Sequence, residues 1–139
     1  IIVVTCDGDA HNVAFYGGLM ATASKVKGIG GAVLDGGVRD VVEVRDLGFQ
    51  IFARSRVPTT SVGRSVVSSV NVTVECGGVQ VHPGDIIVAD DDGVVVIPIS
   101  KLLDVLKISK EIDDLERQET AELRKGAPLA ATVKKYARV

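Results

Sequence analysis

Gly31-Ala32-Val33-Leu34-Asp35-Gly36-Gly37-Val38-Arg39-Asp40 runs from a short apolar segment into a glycine-rich loop and ends on a charged pair. Ala32 to Leu34 reads as a short buried strand, and Asp35 to Asp40 as the loop that follows it. A helix is expected on each side. Upstream, Asn12 to Lys27 has helical character, but Gly17-Gly18 inside a helix would cost about 2 kcal/mol relative to alanine. The glycines therefore belong at the helix start, which places Leu19, Ala23 and Val26 on one face and leaves Gly28 as the stop. Downstream, a second helix from about Val41 to Leu47 closes at Gly48. Strands alternating with short helices are the signature of an α/β domain.

Further out, the chain opens on Ile1-Ile2-Val3-Val4-Thr5, an apolar strand with no initiator methionine, charged leader or cleavage pattern. The similar run Ile86-Ile87-Val88-Ala89-Asp90 follows a turn, Pro83-Gly84-Asp85, whose counterpart before Ile1 is missing, so the expectation is a fragment of a longer protein. Cys6-Asp7-Gly8-Asp9 is a polar turn. After Gly48 the pattern becomes β. Gln50 to Ala53 is a strand, and Val70, Val72 and Val74 alternate with Asn71, Thr73 and Glu75 as a half-buried strand would. Gly77-Gly78 turns a hairpin into Val79 to Val81, and Asp90-Asp91-Asp92-Gly93 joins Ile86–Ala89 to Val94–Ile99. Ser100 then caps a long polar helix reaching about Lys125, with Leu103, Leu106, Leu115 and Leu123 among its apolar positions. Gly126 and Pro128 end it before a last helical stretch, Leu129 to Tyr136. This tail has little core left to cover, and docking on a neighbouring subunit is expected.

The chain has 139 residues, room for one cored domain but not two, and carries 16 Lys plus Arg against 18 Asp plus Glu. A net charge of −2 offers no cation surplus for phosphates, so nucleic acid is not the expected partner. No apolar run approaches the roughly 20 residues of a membrane helix. The two cysteines, Cys6 and Cys76, lack a Cys-x-x-Cys spacing and form neither a disulfide framework nor a zinc site, which fits a reducing, cytoplasmic setting.

Two constellations could carry chemistry. Arg39-Asp40 sits in a loop after a buried strand, where α/β proteins place ligands. Asp40 could hold a divalent cation and Arg39 could fork onto a carboxylate or enolate oxygen. The same dipeptide opening a short helix also reads as a cap and a surface charge. Gly17-Gly18-Leu19-Met20 at a helix start offers free backbone N–H groups to an anion, or is only a flexible turn. Other features are weaker. Asp90 to Gly93 lacks the ligand spacing of a calcium loop, and Gly28 to Gly31 follows a helix rather than a strand and so fails as a nucleotide loop. His11 and His82 read as surface or structural. Ser61, Ser65, Ser68 and Ser69 show no nucleophile elbow.

Taken together, Gly17-Gly18-Leu19-Met20, Gly36-Gly37-Val38-Arg39-Asp40 with Glu43, Cys76-Gly77-Gly78-Val79 through Pro83-Gly84-Asp85, and Asp90-x-Asp92-Gly93-Val94 resemble one family across most of the chain. It is the class II 4-hydroxy-4-methyl-2-oxoglutarate aldolase family, which also contains the regulator of ribonuclease activity A (RraA-like proteins). The resemblance implies an α/β/β sandwich of the swivelling-domain type, with a mixed sheet and a C-terminal helical tail. One RraA-like domain would span 1–139, short of its N-terminal segment, with 100–139 packing on a neighbour in a homotrimer or hexamer.

For function, the resemblance implies a metal-dependent lyase acting on a small 2-oxo acid. Asp40 would ligate Mg²⁺ or Mn²⁺, Arg39 would bind the oxo acid and stabilise its enolate, and the amides of Gly17, Gly18, Leu19 and Met20 would hold its carboxylate. One departure matters: many of these aldolases carry an acidic residue where this chain has Gly18. Retro-aldol cleavage must take a proton from the substrate hydroxyl, whereas decarboxylation of oxaloacetate needs no such base. Oxaloacetate decarboxylation is therefore expected at least on equal terms with aldol cleavage. A neighbour's tail glutamate, Glu111, Glu116 or Glu119, could supply the base. The alternative is a non-catalytic regulator that binds a ribonuclease; in that branch the aspartate of the Arg-Asp pair is typically replaced, so Asp40 favours the enzyme. A methyltransferase would need a cofactor loop that Cys6 to Asp9 does not provide.

Overall fold

The computed structural model describes residues 1–8 and 10–136. Within these, the chain forms two compact units, Ile1–Pro98 and a second beginning at Ile99. Asp9, in the expected turn Cys6–Asp9, lies outside the described residues.

The first unit is built around one strand. β3 (Gly31–Val38) is paired in parallel along one edge by β4 (Gln50–Arg56). Its other edge is shared by β1 (Ile2–Val4), against Ala32–Leu34, and β2 (Ala14–Tyr16), against Gly37–Val38. Parallel neighbours need crossovers. α1 (Gly18–Val26) carries the chain from β2 to β3, and α2 (Val41–Asp46) from β3 to β4. The two helices contact each other, and Ala21 and Val44 meet Tyr16, Ala32, Leu34, Val38 and Phe49 in one buried cluster. Tyr16, 1% exposed, stacks on Phe49 with ring centroids 6.0 Å apart. Its hydroxyl is 2.5 Å from Ser24 Oγ.

β3 is longer than the sequence indicated. Asp35 to Gly37 is not a loop, because β4 continues alongside as Gly37↔Ser55 and Val38↔Arg56 after a one-residue bulge that follows Leu34. Gly37 is in the strand for lack of a side chain: a Cβ there would lie 2.6 Å from the Val13 carbonyl oxygen, whose own atom accepts the Gly37 amide at 3.1 Å. The Asp35 carboxylate binds Arg54 on β4 and accepts the Gly77 amide at 2.8 Å, tying the turn at Gly77 to the sheet.

Two antiparallel hairpins complete the unit. β5 (Val74–Cys76) pairs with β6 (Val79–Val81), and β7 (Ile86–Ala89) with β8 (Val94–Ile97). Gly77 and Gly78 turn the first with φ of 62° and 79°, a turn conformation that glycine adopts at no steric cost. In the second, Asp90 Oδ1 accepts the amides of Asp92 and Gly93 at 2.9 and 3.3 Å, so the acidic run is turn chemistry. The expected strand through Val70 and Val72 is absent. Asn71 adopts φ 59°, which breaks an extended run, and Val81, the last β6 partner, is matched by Val74.

The apolar face assigned to α1 is also corrected. Leu19 and Val26 are 84% and 83% exposed, Ala23 is exposed, and the buried positions are Gly18, Ala21 and Ser24. Small residues let this helix approach the sheet closely, and the larger ones point outward.

In the second unit, a 3-10 turn at Ile99–Lys101 precedes α3 (Leu102–Leu123) and α4 (Leu129–Lys135). Ser100 does not cap α3. The 3-10 turn absorbs it, and Lys101 occupies the capping position without a side-chain bond. None of the residues of α3 is buried. Gly126, at φ 91°, turns the chain. Lys135 and Tyr136 then reach back to the Glu122 carboxylate, the tyrosine hydroxyl at 3.0 Å. No helix among the described residues is long and apolar enough to cross a membrane.

Candidate active site

The parallel order β2–α1–β3–α2 brings the end of β3 beside the start of α1, and the two sequence-predicted constellations meet there. The Arg39 amide donates to the Tyr16 carbonyl at 3.0 Å, which pins the end of β3 against the end of β2. Asp40 follows in the left-handed region, at φ 56° and ψ 36°. An aspartate tolerates this conformation better than most residues, at a cost on the order of 1 kcal/mol.

Asp40 occupies the N-cap position of α2, but its side chain makes no capping bond there. It turns instead to the other helix, where Oδ2 accepts the Gly18 amide at 3.0 Å. The carboxylate thus sits at the positive end of α1 rather than closing its own helix. Arg39 Nε lies 3.7 Å from the same oxygen, and the two side chains keep 38% and 42% of their surface exposed. Arg39 and Asp40 are therefore paired, oriented and open to solvent.

The glycines are needed for this approach. A Cβ on Gly17 would stand 2.7 Å from Asp40 Oδ2 and 2.9 Å from both Cγ and Nε of Arg39. One on Gly18 would stand 2.5 Å from the Glu43 carboxyl carbon. Of the four residues expected to hold an anion through their amides, Gly18 spends its N–H on Asp40, leaving Leu19 and Met20 as first-turn donors without intrahelical partners.

Glu43 is the residue to which sequence reasoning gave no role. It lies one turn beyond Asp40 on α2, a spacing that puts both on one helix face. That i, i+3 relation was the available signal. Asp40, Val41, Val42, Glu43 and Asp46 line an open concavity of about 610 Å³.

The donor set suits one kind of metal. Among the described residues, no three His, Cys, Asp or Glu side chains converge on a point, so no closed protein cage exists there. A hard cation such as Mg²⁺ uses one or two carboxylates and completes its octahedron with water and substrate oxygens. Asp40, oriented by the Gly18 amide and exposed, fits that pattern.

The remaining candidates take structural places. His82 Nδ1 is 3.4 Å from Asp85 Oδ2 in the turn before β7. The His11 carbonyl accepts the Ser55 hydroxyl at 2.6 Å. Burial pushes the Cys76 thiol above its ordinary value against the opposing pull of Arg54, so it is no activated nucleophile. Glu111, Glu116 and Glu119 lie on α3.

Comparison with known proteins assigns the chain to a family. The family described as RraA-like, Aldolase/RraA, matches residues 1–96. An uncharacterized protein of Methanocaldococcus jannaschii is 39% identical over 120 residues, covering 86% of this chain and 57% of that protein. A 4-hydroxy-4-methyl-2-oxoglutarate aldolase of Thermus thermophilus is 33% identical over 91 residues, covering 66% of this chain and 55% of that one. The chain thus spans little more than half the length of these relatives. Among solved structures, Streptomyces coelicolor RraAS2, described as an unusual member of the RNase ES inhibitor RraA protein family, superposes with a TM-score of 0.71. It is 35% identical, with 88% of this chain and 61% of that one covered.

Proposed function

The chain belongs to the RraA-like, Aldolase/RraA family, and from that premise we propose that it is a divalent-metal-dependent carbon–carbon lyase that cleaves small 2-oxo acids through a pyruvate enolate. The observation that carries this reading is the Asp40 carboxylate. It stands at a capping position, forgoes the cap, and is held instead by the Gly18 amide beside Arg39. A surface charge or a simple cap would not need a left-handed aspartate or two glycines cleared of side chains.

Asp40 would hold Mg²⁺ or Mn²⁺, which when bound supplies a Lewis acid for the keto oxygen of the substrate. The chain's own groups do the rest. Leu19 and Met20 amides at the start of α1 receive the substrate carboxylate. Arg39 lies across Gly17, where its guanidinium meets the negative charge that collects on the keto oxygen as the bond beyond C3 breaks. Oxaloacetate would release CO₂ and pyruvate by this electron flow, and 4-hydroxy-4-methyl-2-oxoglutarate would give two pyruvates. Trimeric or hexameric assembly belongs to the same proposal: α3 leaves Leu103, Leu106 and Ile108 exposed, as a helix that packs on a neighbouring subunit would.

The test is pyruvate release from both substrates with Mg²⁺, compared with EDTA and with Asp40→Asn. Release that needs the metal and is lost in Asp40→Asn supports the lyase. No release above the spontaneous metal-catalysed background for either substrate removes it and leaves a non-catalytic, protein-binding role.

A further inference from the structure

We propose that Arg56 grips the far carboxylate of a dicarboxylic substrate and so selects 2-oxo diacids over 2-oxo monoacids. The inference rests on the lyase reading above. Its basis is the charge available at the carboxyl end of the sheet, where open α/β sheets bind ligands. Arg39 and the amides of Leu19 and Met20 are committed to the pyruvyl half of the substrate. The concavity beside Asp40 offers a second carboxylate only like charge, from Glu43 and Asp46. A cation must therefore come from another element, and β4 supplies one. Its last residue, Arg56, is the register partner of Val38, the residue before Arg39, so the two backbones lie one strand spacing apart, about 4.8 Å. The Val57 amide donates to the Val38 carbonyl at 3.0 Å and holds the two strand ends together. Paired residues share a face of the sheet, and Val38 packs in the cluster with Ala21 of α1 and Val44 of α2. Arg56 thus stands on the face that carries both site helices, at the end where α2 begins. It is exposed, and its side chain forms no hydrogen bond or ion pair among the described residues. The neighbouring cations are spent: Arg54 binds Asp35, and the Arg64 guanidinium donates to the Thr60 carbonyl at 3.2 Å. A guanidinium with its fork uncommitted matches a carboxylate in two parallel bonds.

The two substrates present that carboxylate differently. In 4-hydroxy-4-methyl-2-oxoglutarate it is carried by C4 and stays on the fragment released as the second pyruvate. An arginine that holds it binds the substrate and the cleavage transition state alike. In oxaloacetate the second carboxylate is itself the group that leaves as CO₂. A cation fixed on it favours the ground state over the transition state, in which that charge has moved towards the keto oxygen. Arg56 therefore serves aldol cleavage and gives decarboxylation tighter binding without a faster turnover, whereas Arg39 and Asp40 serve both reactions.

The experiment measures kcat and KM with Mg²⁺ for three substrates in wild type, Arg56→Gln and Arg64→Gln. The substrates are 4-hydroxy-4-methyl-2-oxoglutarate, oxaloacetate and 4-hydroxy-4-methyl-2-oxopentanoate, a monoacid with methyl in place of the far carboxylate, whose cleavage gives pyruvate and acetone. A hydrogen bond between charged groups is worth roughly 10- to 100-fold. Wild type should therefore prefer the aldol diacid to the monoacid by at least about 10-fold in kcat/KM. Arg56→Gln should remove about 10-fold of that preference through a raised KM for the diacid, and should raise KM for oxaloacetate without lowering its kcat. Arg64→Gln should keep the wild-type preference. A wild type without the preference, a preference that survives Arg56→Gln, or one lost in Arg64→Gln instead overturns the assignment and leaves the lyase standing. So does a fall in oxaloacetate kcat or an equal fall on every substrate in Arg56→Gln, which would make Arg56 a structural residue. Wild type inactive on all three substrates removes the lyase reading and this assignment with it.

Discussion

Two adjacent glycines should respond differently to the same added methyl group, and Gly18→Ala is the informative one. The nearest atoms to its new Cβ all belong to the Glu43 carboxylate, the far end of a flexible side chain, at 2.5 to 2.6 Å, where ordinary contact begins at 3.4 Å. The carboxylate must retreat by that difference, and it can do so by rotating its own torsions. Gly18 is the first residue of α1 and has no positive φ, so alanine fits the backbone and gains up to about 1 kcal/mol of helix propensity. Stability by urea denaturation should therefore stay within about 1 kcal/mol of wild type. Cleavage should fall on the order of 10²-fold, the scale expected when a group lining the site is misplaced by about 1 Å. Gly17→Ala is the contrast. Its Cβ meets Arg39 Cγ as well as Asp40 Oδ2, at 2.9 and 2.7 Å, and a γ-carbon moves aside only if the whole arginine side chain leaves its place. That variant should lose both cleavage and decarboxylation. The reasoning is refuted if Gly18→Ala cleaves the aldol substrate at the wild-type rate, or if it unfolds as readily as a core-cavity variant.

Asp40→Asn should bind Mn²⁺ far more weakly by calorimetry while losing little stability, because asparagine tolerates the left-handed backbone at φ 56°. Asp40→Ala should be about 1 kcal/mol less stable than Asp40→Asn in urea, and equal stabilities would show that the backbone there is unstrained. Phe49→Ala removes the ring stacked on Tyr16 in the buried cluster and should cost about 3–5 kcal/mol in denaturant titration. Hydrogen bonds from Lys135 and then Tyr136 hold the Glu122 carboxyl below its usual range, and the same carboxylate holds the Lys135 ammonium above its own. The α3–α4 contact is therefore strengthened between the two ranges, weakened as pH falls through the lowered glutamate value, and weakened as pH rises through the raised lysine value. The amide shifts of Lys135 and Tyr136 in a pH titration should follow both transitions; amide shifts that do not move on acidification would contradict the pairing.

By itself the sequence determined the two constellations and most of the element order, though not β2, which lies in a stretch read as helical. Glycines at 17, 18, 28 and 48 mark where helices must start and stop, and their conformational demands are local, so no tertiary knowledge was required. The hairpins at Gly77-Gly78 and Asp90 to Gly93 were legible for the same reason, since turn chemistry lies within a few residues. The tertiary structure decided everything that depends on a partner strand or a facing helix. Asp35-Gly36-Gly37 has loop composition, yet β4 pairs alongside and makes it strand. Val70 and Val72 have strand periodicity but no partner. Leu19 and Val26 have the greasy spacing, but close packing on the sheet selected Gly18, Ala21 and Ser24, because a short helix nears a strand through its smallest residues. The site followed the same rule. Arg39-Asp40 could be singled out in sequence, but whether Asp40 caps its own helix or reaches the preceding one was fixed only when β3 ended beside α1. Glu43 acquired its place there too: its spacing from Asp40 was legible, but its approach to Gly18 depends on how α1 and α2 pack.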